Sequence, residues 1–103
     1  MATPLEKWVD DQARLTKPKK VKGVTVTFLG ATKVKVTWKK ATGADHYYVE
    51  LKRGSKVIDT YTSNTKSKII KGLKDGKHYS VQVKAVGTYL GGQFSKRVKF
   101  STF

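Results

Sequence analysis

Leu73-Lys74-Asp75-Gly76-Lys77-His78-Tyr79-Ser80-Val81-Gln82-Val83-Lys84-Ala85 is the stretch on which the fold turns. Asp75-Gly76 is a turn pair, because glycine accepts positive φ and aspartate bonds to its own backbone. From Tyr79 onward the period is two. Tyr79, Val81, Val83 and Ala85 share one side, and Ser80, Gln82 and Lys84 share the other. A strand with one dry and one wet side belongs to an antiparallel sheet with one buried face.

Toward the N-terminus the same pattern repeats. Ile69-Ile70 begins a short strand ending at Gly72-Leu73, after a turn at Ser63-Asn64-Thr65. Arg53-Gly54-Ser55 reads as a hairpin turn leading to Val57, Ile58 and Tyr61. Tyr47, Val49 and Leu51 alternate with Tyr48, Glu50 and Lys52, beyond a loop at Ala41–Asp45. Val34, Val36 and Trp38 alternate with Lys33, Lys35, Thr37 and Lys39. Val24, Val26 and Phe28 alternate with Thr25 and Thr27, and Leu29-Gly30 closes that run. Toward the C-terminus, Gly87 to Gly92 reads as a loop, and Val98 and Phe100 lie on the last strand. Seven short strands separated by turns predict an all-β, antiparallel sandwich of two sheets packed dry side to dry side.

Residues 18–103 form this module, and residues 1–17 read differently. Thr3-Pro4-Leu5-Glu6 fits a capping box with proline at the first helical position. Leu5, Trp8, Val9 and Gln12 then follow helical spacing, with Leu15 near the end. This predicts a short helical arm, stopped where Pro18 turns Lys17 out of helical geometry. About three turns are marginal alone, so the arm needs a surface. Trp8 with Leu5 and Val9 therefore covers the flank of its own sandwich, docks on another chain or stays wet.

The order of residues after Pro18 resembles a fibronectin type III domain, an immunoglobulin-like sandwich. Pro18, Trp38 and Tyr47-Val49-Leu51 stand where that family has its leading proline, core tryptophan and third strand. Leu73-Lys74-Asp75-Gly76-Lys77-His78-Tyr79 is similar to the family's Leu-x-Pro-Gly-x-x-Tyr turn, with aspartate in place of proline. The resemblance implies a tyrosine corner, in which the Tyr79 hydroxyl bonds back to the preceding turn. Ser95 and Thr102 fit the last strand and its end, so the likeness spans about residues 18–102. Arg53-Gly54-Ser55 shares only letters with the integrin-binding Arg-Gly-Asp and lends no support to that activity.

Composition narrows the function. The 103 residues carry a net charge of +15 and no cysteine, which removes disulfides, thiolate metal sites and cysteine nucleophiles. Residues 1–17 hold three basic and three acidic residues, so the whole excess lies on the sandwich. No apolar run approaches the length of a membrane span. The opening residues lack the basic start and apolar stretch of a secretory signal, and Met1 reads as a native start or as the start of a recloned domain. His46 and His78 each sit beside a core tyrosine on the wet face, where a solvated histidine is expected. Asp45, Glu50, Asp59 and Asp75 are scattered without metal-ligand spacing. No catalytic set, cofactor site or small-molecule substrate is therefore expected.

Three features are candidates for binding. The arm offers Leu5, Trp8, Val9 and Leu15 to a protein partner. The 87–92 loop offers Tyr89 and Leu90 at a hairpin tip, unless Tyr89 folds back on its sheet. Lysine stripes form the third, with Lys33, Lys35 and Lys39 on one sheet and Lys84, Arg97 and Lys99 on the other. Guarding strand edges is the plain account of such lysines. Attraction to an anionic polymer is the functional one. Three arginines among 22 basic residues argue against specific nucleic-acid readout.

A free-standing sandwich with a capped arm is similar in architecture to accessory proteins of tailed bacteriophages. The likeness implies a capsid decoration or other virion surface protein, anchored by its arm to a capsid or other virion protein and adhering weakly to anionic cell-surface polymers. The alternative is an extracellular spacer or carbohydrate-adhesion module of a larger bacterial protein. The third reading is a non-specific nucleic-acid-binding protein.

Overall fold

The structure is a computed structural model and describes residues 18–88 and 90–102. The predicted arm, with Leu5, Trp8, Val9 and Leu15, lies outside the described residues, as does Tyr89. Eight strands follow one another: β1 (Thr25–Gly30), β2 (Lys33–Thr37), β3 (His46–Arg53), β4 (Lys56–Ser63), β5 (Ser67–Ile70), β6 (His78–Val86), β7 (Gly91–Phe94) and β8 (Val98–Ser101). They form a three-stranded sheet, β1-β2-β5, and a five-stranded sheet, β4-β3-β6-β7, with β8 also paired to β6. Every pairing is antiparallel.

The alternation read from sequence is the packing pattern. Val34 and Val36 of β2, Val49 and Leu51 of β3, and Val81, Val83 and Ala85 of β6 face one another across the sheets, buried. Trp38, Tyr47, Ile70, Leu73 and Val21 complete the core. Each fully buried aliphatic side chain contributes roughly 1.5–3 kcal/mol. Trp38 meets Tyr47 edge to face, with ring centroids 5.4 Å apart. The tyrosine corner is present: the Lys74 N–H donates to the Tyr79 hydroxyl at 2.9 Å. Thr102 closes the same turn from the other side. Its hydroxyl donates to the Lys74 carbonyl at 2.5 Å and accepts from the Lys77 N–H at 3.0 Å. Tyr47 makes a second such bond, taking the Ala41 N–H at 3.0 Å.

The structure corrects four local expectations. The last strand is two strands, β7 and β8, because Ser95 breaks it. Its N–H still donates to the Val83 carbonyl at 2.7 Å, but its hydroxyl takes the Val83 N–H and donates to the Lys96 carbonyl, both at 3.0 Å, so a side chain stands where the ladder needs a backbone acceptor. Gly91 and Gly92 belong to β7 and not to the preceding loop. Gly92 is required by close packing. A Cβ there would stand 2.9 Å from the Ala85 carbonyl oxygen and 3.1 Å from that of Pro18. The strand through Ile70 stops there, and buried Leu73 lies beyond it.

The fourth concerns the apolar sides of the edge strands. Val57 and Ile58 are 45% and 41% exposed, and Phe28 is 41% exposed. On β4 the register slips, so that Leu51 pairs Asp59 while Lys52 pairs Val57, and Ile58 is the extra residue of a bulge. The same happens on β1, where Leu29 stands unpaired between Phe28 and Gly30. Phe28 still closes its side of the sandwich. It meets Phe100 edge-on at 6.1 Å, and Phe100 stacks on Tyr79 at 5.6 Å.

Candidate functional site

Pro18 starts the sandwich and is buried at one pole. It rests where three glycines give it room. A Cβ on Gly43 would approach Pro18 Cα to 3.3 Å, one on Gly87 would approach its Cγ to 3.2 Å, and one on Gly92 would meet its carbonyl oxygen. The Lys19 N–H donates to the Thr42 carbonyl at 3.0 Å and ties the same point to the 41–45 loop. The entry of the chain, the 41–45 loop and the 87–90 loop therefore share one pole. The loop carrying Leu90, half-buried, is closed by the Gly87 N–H donating to the Leu90 carbonyl at 2.8 Å.

The two outer faces differ. On the three-stranded sheet, rows run across the strands as Thr27–Lys35–Ile69 and Thr25–Thr37–Ser67, with Lys33 opposite Gly30. Lys33 and Lys35 point outward because Val34 and Val36 between them are buried. Lys39 continues the same parity past the end of β2. Its side chain lies along Gly23, where a Cβ would come within 3.0 Å of it, and its N–H donates to the Lys22 carbonyl at 3.0 Å.

On the five-stranded sheet the outward groups of β3, β6 and β7 meet one another. The Gln82 amide donates to Glu50 at 2.9 Å, and Lys52 meets the same carboxylate oxygen at 3.5 Å. The Lys84 ammonium lies over two rings, 5.2 Å from the Tyr48 centroid and 5.0 Å from that of Phe94. Lys99 stands opposite Ser80, four residues along β6 from Lys84, and Arg97 is exposed in the break before β8. Lys84 is thus held by aromatics, and Arg97 and Lys99 lie apart from it. Sequence reasoning did not single out Phe94, because β7 was read partly as loop. The signal was the register that sets Phe94 opposite Lys84.

On β4, Tyr61 is half-buried and Asp59, two residues before it, is exposed. Burial, then the Asp59 charge and its hydrogen bond, pushes the Tyr61 hydroxyl above its ordinary pKa of 10.0. His46 bonds to Asp45 at 3.0 Å, and His78 to Ser101 at 2.6 Å. Among the described residues no three His, Cys, Asp or Glu side chains gather as a metal site. Among them, too, no helix is long and apolar enough to cross a membrane.

Two facing antiparallel sheets with a tyrosine corner define an immunoglobulin-like sandwich. The chain belongs to the fibronectin type III domain family, whose model matches residues 17–101. Solved structures agree. The sixth fibronectin type III domain of human fibronectin type III domain containing protein 3 is 26% identical, with a TM-score of 0.74, covering 84% of this chain and 87% of that one. Domains d3-d4 of the rat CD45 extracellular region are 21% identical, with a TM-score of 0.76, covering 84% of this chain and 51% of that one. The chicken CNTN1 FN1-FN3 structure is 18% identical, with a TM-score of 0.72, covering 82% and 32%. A search of curated protein sequences finds no match. Members of the family are generally non-catalytic structural or binding modules.

Proposed function

We propose that this chain is a non-enzymatic binding and spacer module whose partner-facing end is the Pro18 pole. The observation that carries the reading is the seating of Pro18 among Gly43, Gly87 and Gly92. It brings the point from which residues 1–17 lead away beside the loop that holds Tyr89 and Leu90. The two candidate protein-binding groups, Leu5, Trp8, Val9 and Leu15 in one and Tyr89 and Leu90 in the other, then serve one interface.

The setting we adopt is extracellular, as a spacer or adhesion module, supported by the likeness to domains of an extracellular region. A phage virion, with a capsid protein as partner, is supported only by the architecture of an arm ahead of a cationic sandwich. The test places a photo-crosslinking residue at Trp8 in one variant and at Leu90 in another. Both should trap the same partner protein, while a crosslinker at Lys99 should not. Different partners at Trp8 and Leu90 would overturn the shared interface.

A further inference from the structure

We propose that the outer face of the β1-β2-β5 sheet is a docking surface for an extended acidic polysaccharide. This face is separate from the Pro18 pole, and the inference does not depend on the protein interface placed there. Four observations carry it.

The first is where the lysines stand. Lys33 and Lys35 lie on β2, the central strand, whose backbone is paired on both sides. A lysine there guards no edge. Lysines that can guard an edge stand elsewhere, Lys56 at the start of β4 and Lys68 on β5, and β1 and β4 are further blunted by bulges. Edge protection therefore does not account for Lys33 and Lys35.

The second is where the acids are not. Of the four acids after Pro18, Glu50 and Asp59 lie on the five-stranded sheet, Asp45 in the 41–45 loop beside it, and Asp75 in the turn before β6. None lies between residues 18 and 44, or on β5. A charge excess serving solubility alone needs no such segregation. Neighbouring ammonium groups on one strand repel each other, and among the described residues no acid on their own sheet offsets them.

The third is spacing. Residues two apart on a strand are roughly 6.6–7 Å apart, so Lys33, Lys35 and Lys39 mark a line of about 20 Å along β2. Lys22 is bonded by its carbonyl to the far end of that line. A linear polymer with charges on successive sugars fits such a line.

The fourth separates classes of polyanion. The outward rows hold Thr25, Thr27, Thr37 and Ser67, whose hydroxyls suit sugar hydroxyls, and no aromatic ring on which a base could stack. The cations are lysines, which bind as point charges, where bidentate recognition of phosphates and bases favours arginine. Ile69 in the paired rows and Leu29 in the β1 bulge are the exposed large aliphatic side chains of this sheet, too little to insert into a lipid surface.

The test compares two double variants with equal loss of charge. Lys33→Gln with Lys35→Gln strips the three-stranded face, and Lys52→Gln with Lys99→Gln strips the other. Binding to polygalacturonate and to dextran sulfate is measured by titration at ~50 and ~150 mM salt, with neutral dextran, duplex DNA and anionic vesicles as further arms, because ionic contacts weaken with salt. The first pair should weaken binding to both acidic polymers at least about tenfold at ~50 mM salt, and the second less than about twofold. Thermal melting confirms that both variants remain folded. Equal weakening by the two pairs would mean that net charge alone acts, and would overturn the proposal. So would absence of binding to the acidic polysaccharides, or tighter binding to duplex DNA or anionic vesicles.

Discussion

The two sheets share one core yet carry opposite kinds of surface. Outside the five-stranded sheet, charge is answered locally: Glu50 by Gln82 and Lys52, and Lys84 by the rings of Tyr48 and Phe94. Outside the three-stranded sheet, Lys33 and Lys35 stand beside threonines with no acid on their sheet. Inside, Val36 and Trp38 at one layer meet Val49 and Tyr47 at the other in a single apolar cluster. The fold therefore constrains the interior of both sheets equally and leaves the two exteriors to diverge.

The largest expected effect strikes the part the sheets have in common. Trp38→Ala should lower stability by about 3–5 kcal/mol in urea unfolding, as buried aromatic truncations do. A loss below about 1 kcal/mol would mean that the layers do not share this residue. Gly92→Ala pushes a methyl group against two backbone carbonyls and should cost about 1–3 kcal/mol, with Gly91→Ala, where a Cβ meets nothing within 4 Å and φ is not positive, as a milder comparison. The two tyrosine clamps come next. Tyr47→Phe leaves the buried Ala41 N–H unpaired and should cost about 1–3 kcal/mol, while Tyr79→Phe frees a more accessible Lys74 N–H and should cost about 1 kcal/mol. Equal losses in thermal melts would show that depth does not separate them.

The smallest effects test the surfaces themselves. Lys52→Gln removes a partner of Glu50 and should lower stability by a few tenths to about 1 kcal/mol. Lys33→Gln with Lys35→Gln should leave stability unchanged or raise it by a few tenths, since like charges are removed. The same sign for both would erase the contrast. A last difference appears in alkali. Tyr61 ionises above its ordinary 10.0 in the folded chain, so its contribution is whole below pH 10. Above that the unfolded chain loses this proton first, and stability falls until the folded hydroxyl ionises too. Tyr61→Phe should make the decline above pH 10 shallower in pH-dependent urea unfolding.

What the sequence disclosed follows the same division between inside and outside. The alternation of Val34, Val36, Val49, Val81 and Val83 is local, and it placed the core because a buried face demands period two. Tyr79 was legible for a similar reason, the N–H that its hydroxyl accepts lying only five residues away at Lys74. The bulges at Leu29 and Ile58 were hidden, since an extra residue shows only against a partner strand. Gly92 was hidden as well, because its need for a missing side chain comes from Pro18, far off in the chain. The outward parity of Lys33, Lys35 and Lys39 could be read directly. That Lys84 is held by Phe94 could not, because the register of β7 was unknown. That the acids avoid one sheet depends on strand order, which periodicity does not supply.

Pro18 is seated at one end of β6, and Thr102 is fastened to the turn at the other. The nine residues of β6 separate the two points by roughly 30 Å. Chain entering at the proline and leaving past the threonine would therefore travel the full length of the sandwich, so copies joined in series would add reach and not bulk. A pull on both ends would load the strand ladders lengthwise, in shear, where many hydrogen bonds must give way together and resist best.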